Sequence, residues 1–356
     1  MEKIKSFEGL RFFGCIFIIW NHFGKNIYPF YDLPDLLFKR AGLAVEIFLI
    51  LSGFLMAKTL FKLKSTFDKE KAFVQYFFSR IKRLWPEYFT VLIIFTIYKL
   101  IAVSDFSLRS FGLNFLMLGG IAGIPHIVGG MWYITVLFWG GLLLFSLVLF
   151  SEKFGRYVIL PFISLFCLFY LINNGQGITG HQSPMVFGLI NKGFIRGLLG
   201  LSVGIYSYQI CELLKNTKIN WNWKLLSKIL FFFEVLSLTL LLNYILLKKK
   251  TNVGDFNIYL CISYLICLLY FKKEILLKFL SFNIFVKLSV FSYSIYLSHL
   301  LLITFIKHHC PFLAFTSPWL SYFLVSLLSV GFGYLIYKTT EKGQDLLKKV
   351  LIKEKK

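Results

Sequence analysis

Ten apolar runs of 16 to 22 residues follow one another along the chain, at 8–24, 41–57, 84–103, 131–150, 157–173, 194–212, 228–247, 256–271, 285–306 and 318–337. A helix of about 20 such residues crosses the hydrocarbon core of a bilayer, where open backbone groups find no water. The expected fold is therefore all-α, a polytopic bundle of about ten transmembrane helices with the lipid bilayer as its first partner. Composition agrees, because 57% of the 356 residues are hydrophobic and mean hydropathy is +0.71. A soluble domain of this length could not cover so much apolar surface. The formal net charge of +22 then becomes a question of which loops hold Lys and Arg, and nucleic acid is not an expected partner. The start of the chain is basic and then apolar, as in a signal peptide. Arg11 interrupts the run, however, and no small-residue cleavage site follows before Asn21-His22. A retained first helix is expected.

Ten spans return both termini to one side. Of the 39 Lys and Arg, 27 fall at the N-terminus, in alternate connections (58–83, 153–156, 215–228, 272–287) and in the tail from Lys338. Ten fall in the opposite connections, Lys192 and Arg196 among them, and Arg11 and Lys99 lie within spans. Basic loops stay on the cytoplasmic side, so both termini are expected there. The cluster Lys248–Lys250 runs against this assignment. An integral membrane domain over 1–340 is expected, with a basic cytoplasmic tail over 341–356, in a bacterial cytoplasmic membrane. Two local features stand out. Gly193, Gly197, Gly200 and Gly204 give the sixth span a small-residue face for close helix packing. The segment Ser104–Gly130 is too apolar for a plain loop and too broken for a helix, which suits a re-entrant segment.

Ionisable residues inside the spans are the candidate functional groups, since charge in lipid is costly. The first span reads FEGLRFFGCIFIIWNHF over 7–23. Eleven helical steps bring Arg11 and His22 onto one stripe roughly 16 Å apart. A snorkelling Arg with an interfacial His is the plain reading, and a pair facing a watery cavity is the functional one. Glu46 lies inside the second span, with Arg11 or His22 as its expected partner. Ser52, without a base beside it in sequence, reads as a packing hydroxyl rather than a nucleophile. Arg80 and Arg83 share a helix face ahead of Pro86, where a span is expected to start or bend. They suit either phosphate binding or positive-inside anchoring. Tyr293, Tyr296 and His299 fall on one face of the ninth span, with His299 read either as a bonded structural histidine or as a tunnel lining. His126 and His181 lie in external connections. His308-His309 has no third ligand nearby, and the six cysteines show no C-x-x-C spacing, so no metal is expected.

These pieces, in this order, resemble the acyltransferase 3 family of membrane O-acyltransferases. The resemblance rests on Arg11 and His22 with ten residues between them, IFLILSGFL at 47–55, Arg80-x-x-Arg83 with Pro86, GGMWYITVLFW at 129–139 and FSYSIYLSHLL at 291–301. It implies a bundle of about ten helices and transfer of an acyl group, acetyl by expectation, from cytoplasmic acyl-CoA to a hydroxyl of an envelope or surface glycan or a similar lipid-linked acceptor. It makes His22 the general base, Arg11 its essential companion, Arg80 and Arg83 the donor grip, and Ser52-Gly53 part of an architectural motif. Some members carry an acidic residue five positions after the tryptophan that matches Trp132, whereas this chain has Leu137. No appended esterase-like domain follows, so a one-domain mechanism or a separate partner is expected. Intramembrane charge alone suits a rival class equally, a transporter or flippase for lipid-linked glycans. Dependence on acyl-CoA separates the two.

Overall fold

The computed structural model describes residues 4–353 apart from 32–37, 64–67, 104–106, 122–125, 175–176, 179, 181–183, 187, 218–222 and 248–252. His181 and the Lys248–Lys250 cluster lie outside the described residues. Eleven helices carry the fold: α1 (Lys5–Ile27), α2 (Val45–Leu60), α3 (Lys69–Val103), α4 (Leu108–Phe115), α5 (Gly129–Ser151) and α6 (Gly155–Asn174). They continue with α7 (Lys192–Asn216), α8 (Leu226–Leu246), α9 (Val253–Tyr270), α10 (Asn283–His309) and α11 (Pro318–Lys353). Among the described residues nine of these are long and apolar enough to cross a membrane. Helix α1, which carries Glu8, Arg11, Asn21 and His22, is not among those nine, but its 23 residues make a rod of about 35 Å. With α1 the number of membrane-length helices reaches the ten expected. The only pairing of strands among the described residues is a small hairpin, Pro184–Val186 with Ile190–Asn191.

Neighbouring helices run in the directions that alternating spans require. Helix α1 lies parallel to α10, with Lys5 near Asn283 at one end and the Tyr31 hydroxyl donating to the Lys307 carbonyl at 2.6 Å at the other. Helix α11 runs antiparallel to both, bringing Gly333 against Ile295 and Tyr322 against Trp20. We call the side that holds Lys5 the terminal face.

Helices α2 and α7 are parallel and in backbone contact. A Cβ on Gly53 would land on the Leu201 carbonyl, and one on Gly204 would land on the Ile50 carbonyl. Close approach of this kind replaces the hydrophobic drive that is missing between helices in lipid. The glycine face read from the sequence is thus a packing surface, and Gly53 of the S-G-F-L motif is its counterpart on α2.

Helix α3 departs from expectation. It begins at Lys69, and it passes through Pro86 instead of starting there. Its first half is polar, so hydropathy does not mark it. Its start is fixed locally, because Asp68 Oδ1 accepts the backbone N–H groups of Glu70 and Lys71 at 3.0 and 3.1 Å. Between α3 and α5, the described residues 107–121 and 126–128 pack into the bundle around α4. Tyr88 donates to the Asn114 carbonyl at 2.6 Å, and Thr135 donates to the Gly119 carbonyl at 3.0 Å. Glu234 is fully buried on α8 and accepts the N–H groups of Ile275, Leu276 and Leu277 at 2.9 to 3.1 Å. That clasp fixes the connection leading into α10, because each charge-assisted bond is about twice as strong as a neutral one.

Candidate active site

Two joined cavities open the bundle between α1, α2, α3 and α10. The inner one is narrow, about 80 Å³, and is lined by Arg11, Ser52, Arg80, Arg83, Tyr133 and Tyr296 among others. A wider vestibule of about 400 Å³ adds Lys58, Glu8 and Glu87 and shares Arg11, Arg83 and Tyr293 with the first. Its Lys58 ends α2 and its Ile4 and Glu8 begin α1, so it opens toward the terminal face.

The charged side chains there are held by neighbours. Arg11 Nη1 donates to Glu8 Oε1 at 2.8 Å, and Ser289 donates to the other Glu8 oxygen at 3.1 Å. The Arg80 guanidinium lies 4.7 Å over the Tyr76 ring, which itself stacks on Phe145 at 3.8 Å. Glu87, one turn beyond Arg83, accepts from the Ser294 hydroxyl. Tyr293 donates to the Leu84 carbonyl at 2.7 Å and ties α10 to α3. Three guanidiniums thus face one small space, flanked by two carboxylates that orient them without closing it.

Tyrosines wall the inner end. The Tyr133 and Tyr296 rings meet edge to face at 5.1 Å, and Tyr296 donates to the Gly130 carbonyl at 2.9 Å. Behind Tyr296, on the same face of α10, stands His299, fully buried with its ring 5.6 Å from that of Tyr296. His299 Nδ1 lies 2.5 Å from the Tyr296 carbonyl oxygen, and the His22 ring is 5.1 Å away across the α1–α10 contact. His22 is partly exposed, and its helix turn is pinned because the buried Asn21 donates to the Phe38 and Lys39 carbonyls at 2.9 and 2.7 Å. The stripe read from the sequence is real. Arg11 serves the cavity, and His22 stands about 16 Å further along α1, past the tyrosine wall.

Several expectations are corrected. Glu46 pairs with neither Arg11 nor His22, since Arg196 Nε donates to it. Arg196, assigned to a loop on the opposite side, is instead a buried residue of α7 at 4% exposure. Trp132, which the sequence leaves as either site-lining or structural, is not among the residues lining either cavity. Its ring carries the Arg196 guanidinium at 5.2 Å. Leu137, standing where some relatives have a carboxylate, lines the inner cavity directly. His299, read as either a bonded structural histidine or a tunnel lining, is bonded to the Tyr296 backbone carbonyl. Among residues the sequence reading passed over, Glu8 and Glu87 were visible as carboxylates three and four positions from Arg11 and Arg83. Arg196 gave no local signal.

The sequence pattern of the acyltransferase domain that defines the acyltransferase 3 family matches residues 4–338. No curated protein and no solved structure matches the chain.

Proposed function

The chain belongs to the acyltransferase 3 family, and we propose that this membrane acyltransferase moves an acyl group, acetyl in the simplest case, from cytoplasmic acyl-CoA to a hydroxyl of an envelope or surface glycan. One observation carries the donor half of the reading: Arg11, Arg80 and Arg83 converge on a single cavity whose mouth, with Lys58, lies toward the terminal face. Coenzyme A is rich in phosphate, and guanidinium groups grip phosphate oxygens with paired, charge-assisted hydrogen bonds. That face also holds most of the chain's Lys and Arg, which supports its assignment to the cytoplasm. The tyrosine wall then separates the place of the donor's polar half from His22.

In this reading the acceptor hydroxyl oxygen attacks the thioester carbonyl carbon while His22 takes the hydroxyl proton. The carbon–sulfur bond breaks, the coenzyme leaves as its thiolate and is reprotonated, and the acyl group stays on the acceptor oxygen. Arg11 fills the role of companion from the donor side, eleven residues away on the same helix.

The donor assignment is tested by substituting Arg80→Ala together with Arg83→Ala. Each lost charge-assisted bond is worth about 1.5–3 kcal/mol, so affinity for acyl-CoA in detergent is expected to fall by at least about tenfold. Folded yield should hold, because both residues sit at an open cavity. An unchanged affinity would assign these arginines to membrane topology alone.

A further inference from the structure

A third cavity, of about 390 Å³ and lined by apolar side chains only, lies between α1, α2, α8, α9 and the connection 271–282 that leads into α10. It shares no lining residue with the two donor cavities. Helix α1 lines it at Leu10, Phe13 and Phe17, and α9 lines it at Ile258, Ile262 and Leu265. Each set is one helix face over seven steps, so the cavity is a slot running along the helix axes for about 10 Å. Its walls α2, α8 and α9 are of membrane-spanning length and apolarity. An apolar cavity of about 150 Å³ already stays dry and admits benzene, and this one is more than twice that size.

The slot opens sideways. Leu242, Leu276 and Phe279 line it and are 48%, 46% and 38% exposed, so in a bilayer its mouth meets hydrocarbon. A helix of a second copy, about 10–12 Å across, would need about 800 Å³ over the same length. A single hydrocarbon chain is the occupant of the right width. Chain burial alone selects little, because lipid tails are as apolar as the leucines they would touch. Charge at one end supplies the selection. The connection 271–282 carries Lys272, Lys273 and Lys278, all exposed, and one carboxylate, Glu274, which is buried. Lys278 stands between Leu277 and Phe279, both of which line the slot. Glu234, also buried, is spent on the backbone N–H groups of Ile275, Leu276 and Leu277. This end belongs to the terminal face, since the connection runs into Asn283 beside Lys5. At the other end, ahead of Leu43 and Ile258, Arg40 and Asp255 are buried and paired with each other.

We propose that the slot is a phospholipid site: it takes one acyl chain of an anionic phospholipid from the leaflet at the terminal face, with the lipid phosphate against Lys278 and Lys272. The chain packs on Leu10, Phe13 and Phe17 and so supports the helix that carries Arg11 and His22. The site stands apart from the acyl-transfer reading, and its test does not involve acyl transfer.

Native mass spectrometry of the full chain in detergent, with phosphatidylglycerol or phosphatidylcholine of identical chains added, reads the site. The wild type should retain one phosphatidylglycerol and prefer it over phosphatidylcholine by about fivefold for each lysine engaged. Lys272→Gln together with Lys278→Gln should bring the two lipids level. Leu241→Trp fills the slot and should abolish retention of both. Where that variant does not fold, a phosphatidylglycerol with a photoreactive group in mid-chain replaces it, and its crosslinks should fall on the slot faces of α1, α8 and α9. Equal retention of the two lipids by the wild type overturns the proposal, as does an undiminished preference in the lysine variant. Wild-type retention by folded Leu241→Trp, or crosslinks only outside the slot, overturns it too. Displacement of phosphatidylglycerol by an equal concentration of a polyprenyl-linked glycan would assign the slot to the acceptor's chain instead.

Discussion

Replacing His22 with glutamine is expected to lower acyl transfer per folded molecule by at least about 100-fold, the lower bound for a general base. Glutamine preserves much of the shape and can still hydrogen-bond, but it does not accept a proton near neutral pH. His22→Ala should fall as far, because the lost function is the same. Neither change should cost much stability, since His22 is only partly buried and the turn that carries it is pinned by Asn21. A packing role would give another pattern, with glutamine tolerated and alanine losing activity in step with folded protein. Rates measured with labelled acyl-CoA, normalised to monodisperse protein in detergent, distinguish the patterns.

The second large effect concerns stability. Arg196→Met alone is expected to destabilise the protein by about 3–5 kcal/mol, because it leaves Glu46 buried in the bundle without its cation. Both side chains are at most 5% exposed, so water cannot replace the partner. The loss should be larger than for the same change at a surface pair such as Lys338–Glu341, whose side chains are 45% and 43% exposed, so that water screens the charges. The double change Glu46→Leu with Arg196→Met should recover most of the loss, since two apolar groups of similar volume need no mutual charge. Unfolding midpoints in one detergent are the readout. A single Arg196→Met variant as stable as the wild type would show that the pair does not hold α2 to α7.

What the sequence makes legible here is what depends on short separations. The Arg11–His22 stripe, the glycine face of α7 and the Tyr293–Tyr296–His299 face each follow from helical geometry over a few turns, and the structure contains all three. The expected partner of Glu46 fails because that choice depends on which helices are neighbours. Glu46 is 150 residues from Arg196, and nothing local to either residue encodes the contact between α2 and α7. The early start of α3 is missed for another reason. Hydropathy finds the stretch after Pro86, while residues 69–83 form a polar helix signalled only by the Asp68 cap. The meeting of His22 with His299 belongs with the long-range contacts. Each histidine is visible on its own helix, but the α1–α10 packing that brings them to 5.1 Å is not.

The central claim is transfer from cytoplasmic acyl-CoA through the basic vestibule to an acceptor reached by way of His22. Sealed membrane vesicles of both orientations, given labelled acetyl-CoA from outside, test it most directly. Inverted vesicles expose the cytoplasmic face and should incorporate label into glycan, with the label lost in His22→Gln and reduced in Arg80→Ala/Arg83→Ala. Right-side-out vesicles should incorporate none until they are permeabilised. Equal labelling of intact vesicles of both orientations would contradict the sidedness of the vestibule. No acyl-CoA-dependent labelling in either, with the wild-type protein folded and present, would contradict the donor assignment.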